Sequence, residues 1–256
     1  MNGELLQIFR KKLKESYVLG LFMKTSDPGL VEAAGYAGMD FAILDTEHGP
    51  VNTERLQDLI RAAQNAGTVP IVRAGNFEMI AKALDLGAAG IQIPKISSAD
   101  EAKRAVREAK FFPKGNRGLC RFVRAAHYSA LSKEEYLSAA NNALVILQLE
   151  GTEAVEHLDE IMSVDGIDII FIGPYDLSQS LGFPGEITHP LVLNEMRKIL
   201  AAAQKNGLAI GTFVDSNEML KMWSSAGINY FAYSVDMGIF CDACRQIRER
   251  AEYPVA

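Results

Sequence analysis

Among its 256 residues the sequence has no apolar run approaching the roughly 20 residues that cross a bilayer. It also lacks a long basic run, and its formal charge is −6. The basic face that nucleic acid or an anionic membrane surface demands is therefore missing. The densest basic stretch, Lys103 to Arg124, is broken by Glu108 and apolar residues and reads as a solvated helix plus a loop. Cysteine is scarce: Cys120, Cys241 and Cys244 cannot all pair with one another. Cys241 and Cys244 form a CxxC, but in a predicted C-terminal helix rather than a strand-to-helix turn. Two thiols on one helix is the plainer reading than a redox or zinc site. The N-terminal stretch is amphipathic with mixed charges and has no apolar signal core. These absences together lead to the expectation of a cytoplasmic protein whose partner is a small molecule, with no nucleic acid and no membrane.

What is present is a core-forming composition, 48% hydrophobic. Eight short apolar, β-branched runs recur: Val18–Met23, Phe41–Leu44, Pro70–Val72, Gly90–Ile93, Leu144–Leu149, Asp168–Ile172, Ala209–Phe213 and Tyr230–Tyr233. Several lack polar/apolar alternation, as strands covered on both faces do. Helical patterns separate them. Asp27-Pro28 opens one as a cap and first-turn proline, Asn52-Thr53 caps another, Ser97-Ser98 precedes Ala99–Lys110, and Asp215-Ser216 precedes Asn217–Ala226. Ala37-Gly38, Ala66-Gly67 and Ala226-Gly227 supply the glycine of a left-handed helix end. Eight strand–helix units predict a single (β/α)8 TIM barrel over 1–256, with an N-terminal helix at 1–16. The competitor, a doubly wound open sheet, has fewer strands and often a Gly-rich first turn, which is absent here. Residues 111–133 form a long irregular insertion, of the kind that tends to be a lid or binding loop.

Barrel active sites form at the C-terminal ends of the strands. Strand two ends in Asp45-Thr46-Glu47-His48-Gly49-Pro50, strand three at Arg73, strand five at Gln148-Leu149-Glu150, and strand six runs into Gly173-Pro174-Tyr175-Asp176. Taken singly, Asp176 reads as a helix cap, Arg73 as an ion-pair partner and His48 as a loop histidine. Jointly they converge on one mouth. Two carboxylates suit a hard divalent cation, Mg2+, Mn2+ or Co2+, that keeps water and substrate ligands. An arginine suits an anionic or developing oxyanion atom, and a histidine accepts a proton near neutral pH. The set fits proton abstraction or carbon–carbon bond chemistry beside a carbonyl, through an enolate. A Schiff base from Lys24 or Lys95 would leave the carboxylates without a role.

The segments DFAILDTEHGP at 40–50, PIVRAG at 70–75, ALDLGAAGIQIP at 83–94, ILQLEG at 146–151 and DIIFIGPYDLSQSLG at 168–182 resemble the HpcH/HpaI aldolases in order and spacing. These are metal-dependent class II pyruvate aldolases acting on substrates such as 4-hydroxy-2-oxoheptanedioate, 2-dehydro-3-deoxyglucarate and 2-keto-3-deoxyrhamnonate. The resemblance implies a phosphoenolpyruvate/pyruvate-type barrel that cleaves a 4-hydroxy-2-oxo acid to pyruvate and an aldehyde. It implies metal ligation by Glu150 and Asp176, enolate stabilisation by Arg73, and His48 as general base. Gln148, Tyr175, Arg73 and Asp176 would contact substrate. Asp85 matches a family aspartate that raises the basicity of the histidine. Since Asp85 precedes strand four, either a neighbouring subunit supplies it or Asp45 orients the imidazole instead. Tyr175, Leu119-Cys120-Arg121-Phe122 and Phe213 depart from the family's usual residues and leave the second substrate open. A citrate-synthase-like condensation, an oxaloacetate decarboxylation and an inactive oxo-acid-binding homologue are the alternatives. The resemblance also implies a homo-oligomer, a hexamer built as a trimer of dimers, helped by the apolar helix near 235–244.

Overall fold

The computed structural model describes residues 2–251; positions 1 and 252–256 of the expected 1–256 domain lie outside the described residues. Eight strands, β1 (Val18–Met23), β2 (Phe41–Asp45), β3 (Val69–Arg73), β4 (Gly90–Ile93), β5 (Leu144–Leu149), β6 (Ile169–Ile172), β7 (Ala209–Val214) and β8 (Tyr230–Val235), close in sequence order into one parallel barrel. The open-sheet alternative is excluded because β1 pairs with both β2 and β8. Twelve α-helices lie among the described residues: α1 (Asn2–Glu15), α2 (Pro28–Tyr36), α3 (Thr53–Asn65), α4 (Glu78–Asp85), α5 (Ala99–Ala109), α6 (Lys133–Asn141), α7 (Thr152–Glu156), α8 (Leu158–Met162), α9 (Pro174–Ser180), α10 (Pro190–Lys205), α11 (Asn217–Ala226) and α12 (Asp236–Arg250). None is long and apolar enough to cross a membrane.

The predicted caps form. The Asp27 carboxylate accepts from Gly29 N at 2.8 Å, Asn52 Oδ1 from Arg55 N at 2.8 Å, and Ser216 Oγ from Met219 N at 3.3 Å. Gly38, Gly67 and Gly227 all take positive φ at the helix ends. Strands β2 and β3 each run one residue past their last apolar side chain. Asp45 and Arg73 pair in register, so the ladder continues through polar residues that a hydrophobicity pattern stops at.

Inward side chains fill the barrel as stacked layers. Phe41 stacks on Tyr230 with ring centroids 4.1 Å apart, and Phe171 meets Tyr230 edge-on at 6.0 Å. Such rings fit only where a neighbouring strand gives up its side chain: a Cβ at Gly20 would sit 2.5 Å from the Phe41 ring. Helix α1 closes the N-terminal end, burying Leu6, Phe9 and Leu13 against this interior. Phe9 contacts Phe41 and Tyr230 edge-on, and full burial of a side chain of this size stabilises by about 1.5–3 kcal/mol. Arg10 to Asp168 and Lys12 to Asp40, each at 2.7 Å, fasten the rim of α1.

The insertion at 111–133 lies at the base of the barrel. Leaving α5 at the base of the barrel, it packs beside the C-terminal end of α4, with a 3₁₀ turn at Arg124–Ser129 and a small apolar cluster of Phe111, Ala126 and Tyr136. Because the chain has already returned to the N-terminal end of the strands, the insertion does not cover this chain's own mouth. All three cysteines are free and exposed. Helix α12 forms as anticipated and exposes Met237, Ile239, Phe240 and Ile247.

Candidate active site

Alternation along the strands builds the mouth. Phe41 and Ile43, Val69 and Ile71, and Leu144 and Ile146 all point into the barrel, so the next inward positions are Asp45, Arg73 and Gln148. Each is almost wholly buried. The Arg73 guanidinium grips Asp45 through two parallel bonds, Nε to Oδ1 at 2.8 Å and Nη2 to Oδ2 at 2.7 Å, while Nη1 lies 3.4 Å from Glu47 Oε2. The Phe22 ring lies beneath it at 4.8 Å. Burial alone would raise the Asp45 pKa, but Arg73 outweighs it and holds the carboxyl below its usual range. Arg73 is thus a fixed cation at the floor of the mouth.

Glu150 is buried at the end of β5. One carboxylate oxygen accepts Lys95 N–H at 2.8 Å, and the other accepts a close hydrogen bond from the Gln148 amide. Gln148 is itself held by Gln92, whose Nε2 donates to Gln148 Oε1 at 2.8 Å. Loss of water pushes the Glu150 pKa up to about 7, with Asp176 and Glu47 adding repulsion against the hydrogen bonds from Gln148 and Lys95. A Cβ at Gly173 would stand 2.6 Å from Glu150 Oε2, so only glycine lets β6 approach this carboxylate. Asp176 enters from the first turn of α9, directly after Gly173-Pro174.

Residues from β2, β3, β5 and the β6–α9 turn therefore meet at one end of the barrel. His48 stands at the rim, exposed, with Nε2 3.8 Å from Glu47 Oε2. Asp45 does not hold this imidazole; its oxygens take the Arg73 fork and the backbone N–H groups of Glu47 and His48, at 3.0 and 3.3 Å. Asp45 thus shapes the loop that carries His48. Asp85 lies elsewhere, at the C-terminus of α4, paired with Arg117 of the insertion. Within one chain it belongs to the opposite end of the barrel. Tyr175 forms an outer wall, its hydroxyl donating to Asp215 Oδ2 at 2.9 Å and its ring edge-on to Phe213 at 5.6 Å.

Reading strand ends missed three contributors. Gln92 was visible as the one polar residue in the strand GIQI. Glu47 sat within a quoted motif, and its side chain bonds the Lys95 ammonium at 2.8 Å. Lys95 carries φ 58°, a left-handed turn that aims its N–H at Glu150 and that nothing in the composition announces.

Whether a metal fits can be judged from these contacts. Glu150 and Asp176 repel one another, and a cation shared between them would relieve that repulsion. Among the described residues no group of three or more His, Cys, Asp or Glu side chains is arranged to hold an ion. A two-carboxylate site suits a hard divalent cation that takes its other ligands from water and substrate.

A (β/α)8 barrel carrying an acid pair beside a buried arginine at the C-terminal ends of its strands is the architecture of a barrel enzyme. The sequence pattern of the HpcH/HpaI aldolase/citrate lyase family matches residues 18–243. A 2-keto-3-deoxy-L-rhamnonate aldolase of Escherichia coli O17:K52:H18 is 33% identical over 96% of this chain and 93% of its own. An HpcH/HpaI aldolase/citrate lyase family protein from Burkholderia cenocepacia J2315 superposes with a TM-score of 0.90 at 30% identity, covering 95% of this chain and 98% of that one. The citrate synthase SbnG superposes at 0.84 with 29% identity, covering 95% and 96%. The chain belongs to the HpcH/HpaI aldolase/citrate lyase family and is an enzyme of its aldolase class.

Proposed function

We propose that this enzyme cleaves a 4-hydroxy-2-oxo acid to pyruvate and an aldehyde through the enolate of pyruvate. The observation that carries the reading is the buried Glu150, in repulsion with Asp176 and close to a permanently charged Arg73. Glu150 and Asp176 are assigned to a divalent cation, which supplies Lewis-acid stabilisation of the charge that develops on the keto oxygen. Arg73, immobilised by Asp45, presents its remaining N–H donors to the same oxygen without reorganisation. Gln148, locked by Gln92, positions Glu150 and lines the oxo-acid pocket. His48 at the open rim takes the proton of the 4-hydroxyl group, and the C3–C4 bonding pair then collapses onto C3 as the aldehyde leaves. Water returns a proton to C3 and gives pyruvate. Tyr175 and Phe213 border the space left for the aldehyde.

The relative named a 2-keto-3-deoxy-L-rhamnonate aldolase supports a sugar-acid substrate, so that class heads the panel. Pyruvate release is measured with Mg2+, Mn2+ or Co2+ and again with excess EDTA. Release that the metals restore supports the reading; full activity in EDTA overturns the metal assignment. The 29% identity to a citrate synthase favours one second reading, condensation onto oxaloacetate. Product analysis on the same panel separates the two.

A further inference from the structure

At the rim of the mouth, on the side of β6 and β7, the Tyr175 hydroxyl donates to Asp215 Oδ2 at 2.9 Å. We infer that this pair selects the aldehyde half of the substrate, taking a hydroxyl group on the carbon next to the aldehyde and turning away a carboxylate there. The inference rests on the cleavage proposed above and specifies its substrate class, a 4,5-dihydroxy-2-oxo acid that releases a hydroxyaldehyde.

The placement follows from the fold. Phe213 is an inward residue of β7, packed on the barrel interior, and Asp215, two positions on, carries that parity past the end of the strand. Tyr175 enters in the first turn of α9, beside the Asp176 assigned to the cation. An aromatic strip leads to this pair from the reacting end of the mouth. The Phe22 ring lies 4.8 Å from the Arg73 guanidinium carbon and 6.2 Å from the Phe213 ring, and Phe213 meets Tyr175 edge-on at 5.6 Å. The strip offers little to a polar chain until the Tyr175 phenol and the Asp215 carboxylate end it.

Asp215 has no structural task that accounts for it. Helix α11 is capped by Ser216, and the exposed Asp215 carboxylate forms no ion pair among the described residues. Partial burial and the Asp215 charge both raise the Tyr175 pKa, so the phenol keeps its proton. With that proton committed to Asp215, the pair presents acceptors only, the second carboxylate oxygen and the phenol oxygen, together with one negative charge. A substrate hydroxyl supplies the missing donor. A carboxylate brings no donor and meets a like charge. The cations that pair within the mouth, Arg73 on β3 and Lys95 after β4, both lie against Glu47, across the barrel from β7.

The test runs the reaction toward carbon–carbon bond formation, with pyruvate, Mg2+ and one of three aldehydes. Glycolaldehyde carries the hydroxyl, propionaldehyde replaces it by a methyl group of similar size, and glyoxylate carries the carboxylate. The parent enzyme should favour glycolaldehyde over propionaldehyde about tenfold or more in kcat/KM. Asp215→Asn keeps the shape but exchanges a charged acceptor for an amide that also donates. It should cut that preference about three- to tenfold and raise glyoxylate relative to propionaldehyde by a similar factor. Comparing these ratios between parent and variant cancels the unequal hydration of the aldehydes. Asp215 is exposed, so the variant should keep the parent's melting temperature. A parent without the preference, or a preference that Asp215→Asn leaves unchanged, overturns the inference. A preference that Tyr175→Phe leaves unchanged overturns the part given to Tyr175. Exchange of the pyruvate methyl protons in D2O, which needs no aldehyde, is measured on the parent alongside. Its absence overturns the enolate reading itself, so the two failures are distinguishable.

Discussion

The same eight strands end in two unlike regions. At the N-terminal end, Phe41, Phe171 and Tyr230 interlock beneath Phe9 of α1, and the stabilisation comes from apolar burial. At the C-terminal end the inward positions are Asp45, Arg73, Gln92, Gln148 and Glu150, all buried. There the Asp45–Arg73 pair is satisfied, while Glu150 is held in electrostatic opposition to Asp176 and Glu47. A buried carboxylate with an elevated pKa is a net cost to the folded state. The base holds the barrel together, and the mouth draws on that stability to keep charge where water would otherwise disperse it.

The sharpest way to break this comparison is Glu150→Gln. Pyruvate release should fall by about 10³ or more if the proposed cation loses one of its two assigned carboxylates, while the melting temperature holds or rises because a buried charge is gone. A marked loss of stability would place Glu150 among the structural residues. At the base the balance reverses. Phe9→Ala should cost about 3–5 kcal/mol in chemical denaturation and leave the turnover of the folded fraction unchanged. A fall in turnover without a fall in stability would mean that the two ends are not separable.

The smallest effect concerns pH in metal-free protein. Glu150 titrates near 7 when folded, against 4.5 in the unfolded chain, so the folded state retains a proton that the unfolded chain releases. Its contribution is intact below about 4.5 and is lost as pH rises through about 7. The EDTA-treated enzyme should therefore melt a few degrees lower at about pH 8.5 than at about pH 5.5, and saturating Mg2+ should abolish the difference. Asp45, held below its usual range, titrates beneath this window. An unchanged difference with Mg2+ would detach Glu150 from the cation.

Much of the mouth was legible because strand alternation is rigid. Once β2, β3 and β5 are placed by their apolar runs, Asp45, Arg73 and Gln148 must face inward at their upper ends. Lys95 and Glu47 were not legible, since their roles depend on loop backbone angles. Asp85 shows the converse. The motif around it reads as part of the site, yet within one chain it lies at the end of α4 with Arg117 as its partner, so only a neighbouring subunit's mouth is open to it.

By itself, then, the sequence determined the eight strand–helix units, their caps and the parity that turns acids and an arginine toward one opening. Apolar periodicity and turn chemistry are local, so they survive reading in one dimension. Only the tertiary structure decided that Arg73 is clamped by Asp45, that Gln92 locks Gln148 onto Glu150, and that the insertion walls a cavity at the base instead of covering the mouth. Those outcomes depend on contacts between residues far apart in the chain, whose distances and desolvation exist only once the barrel has closed.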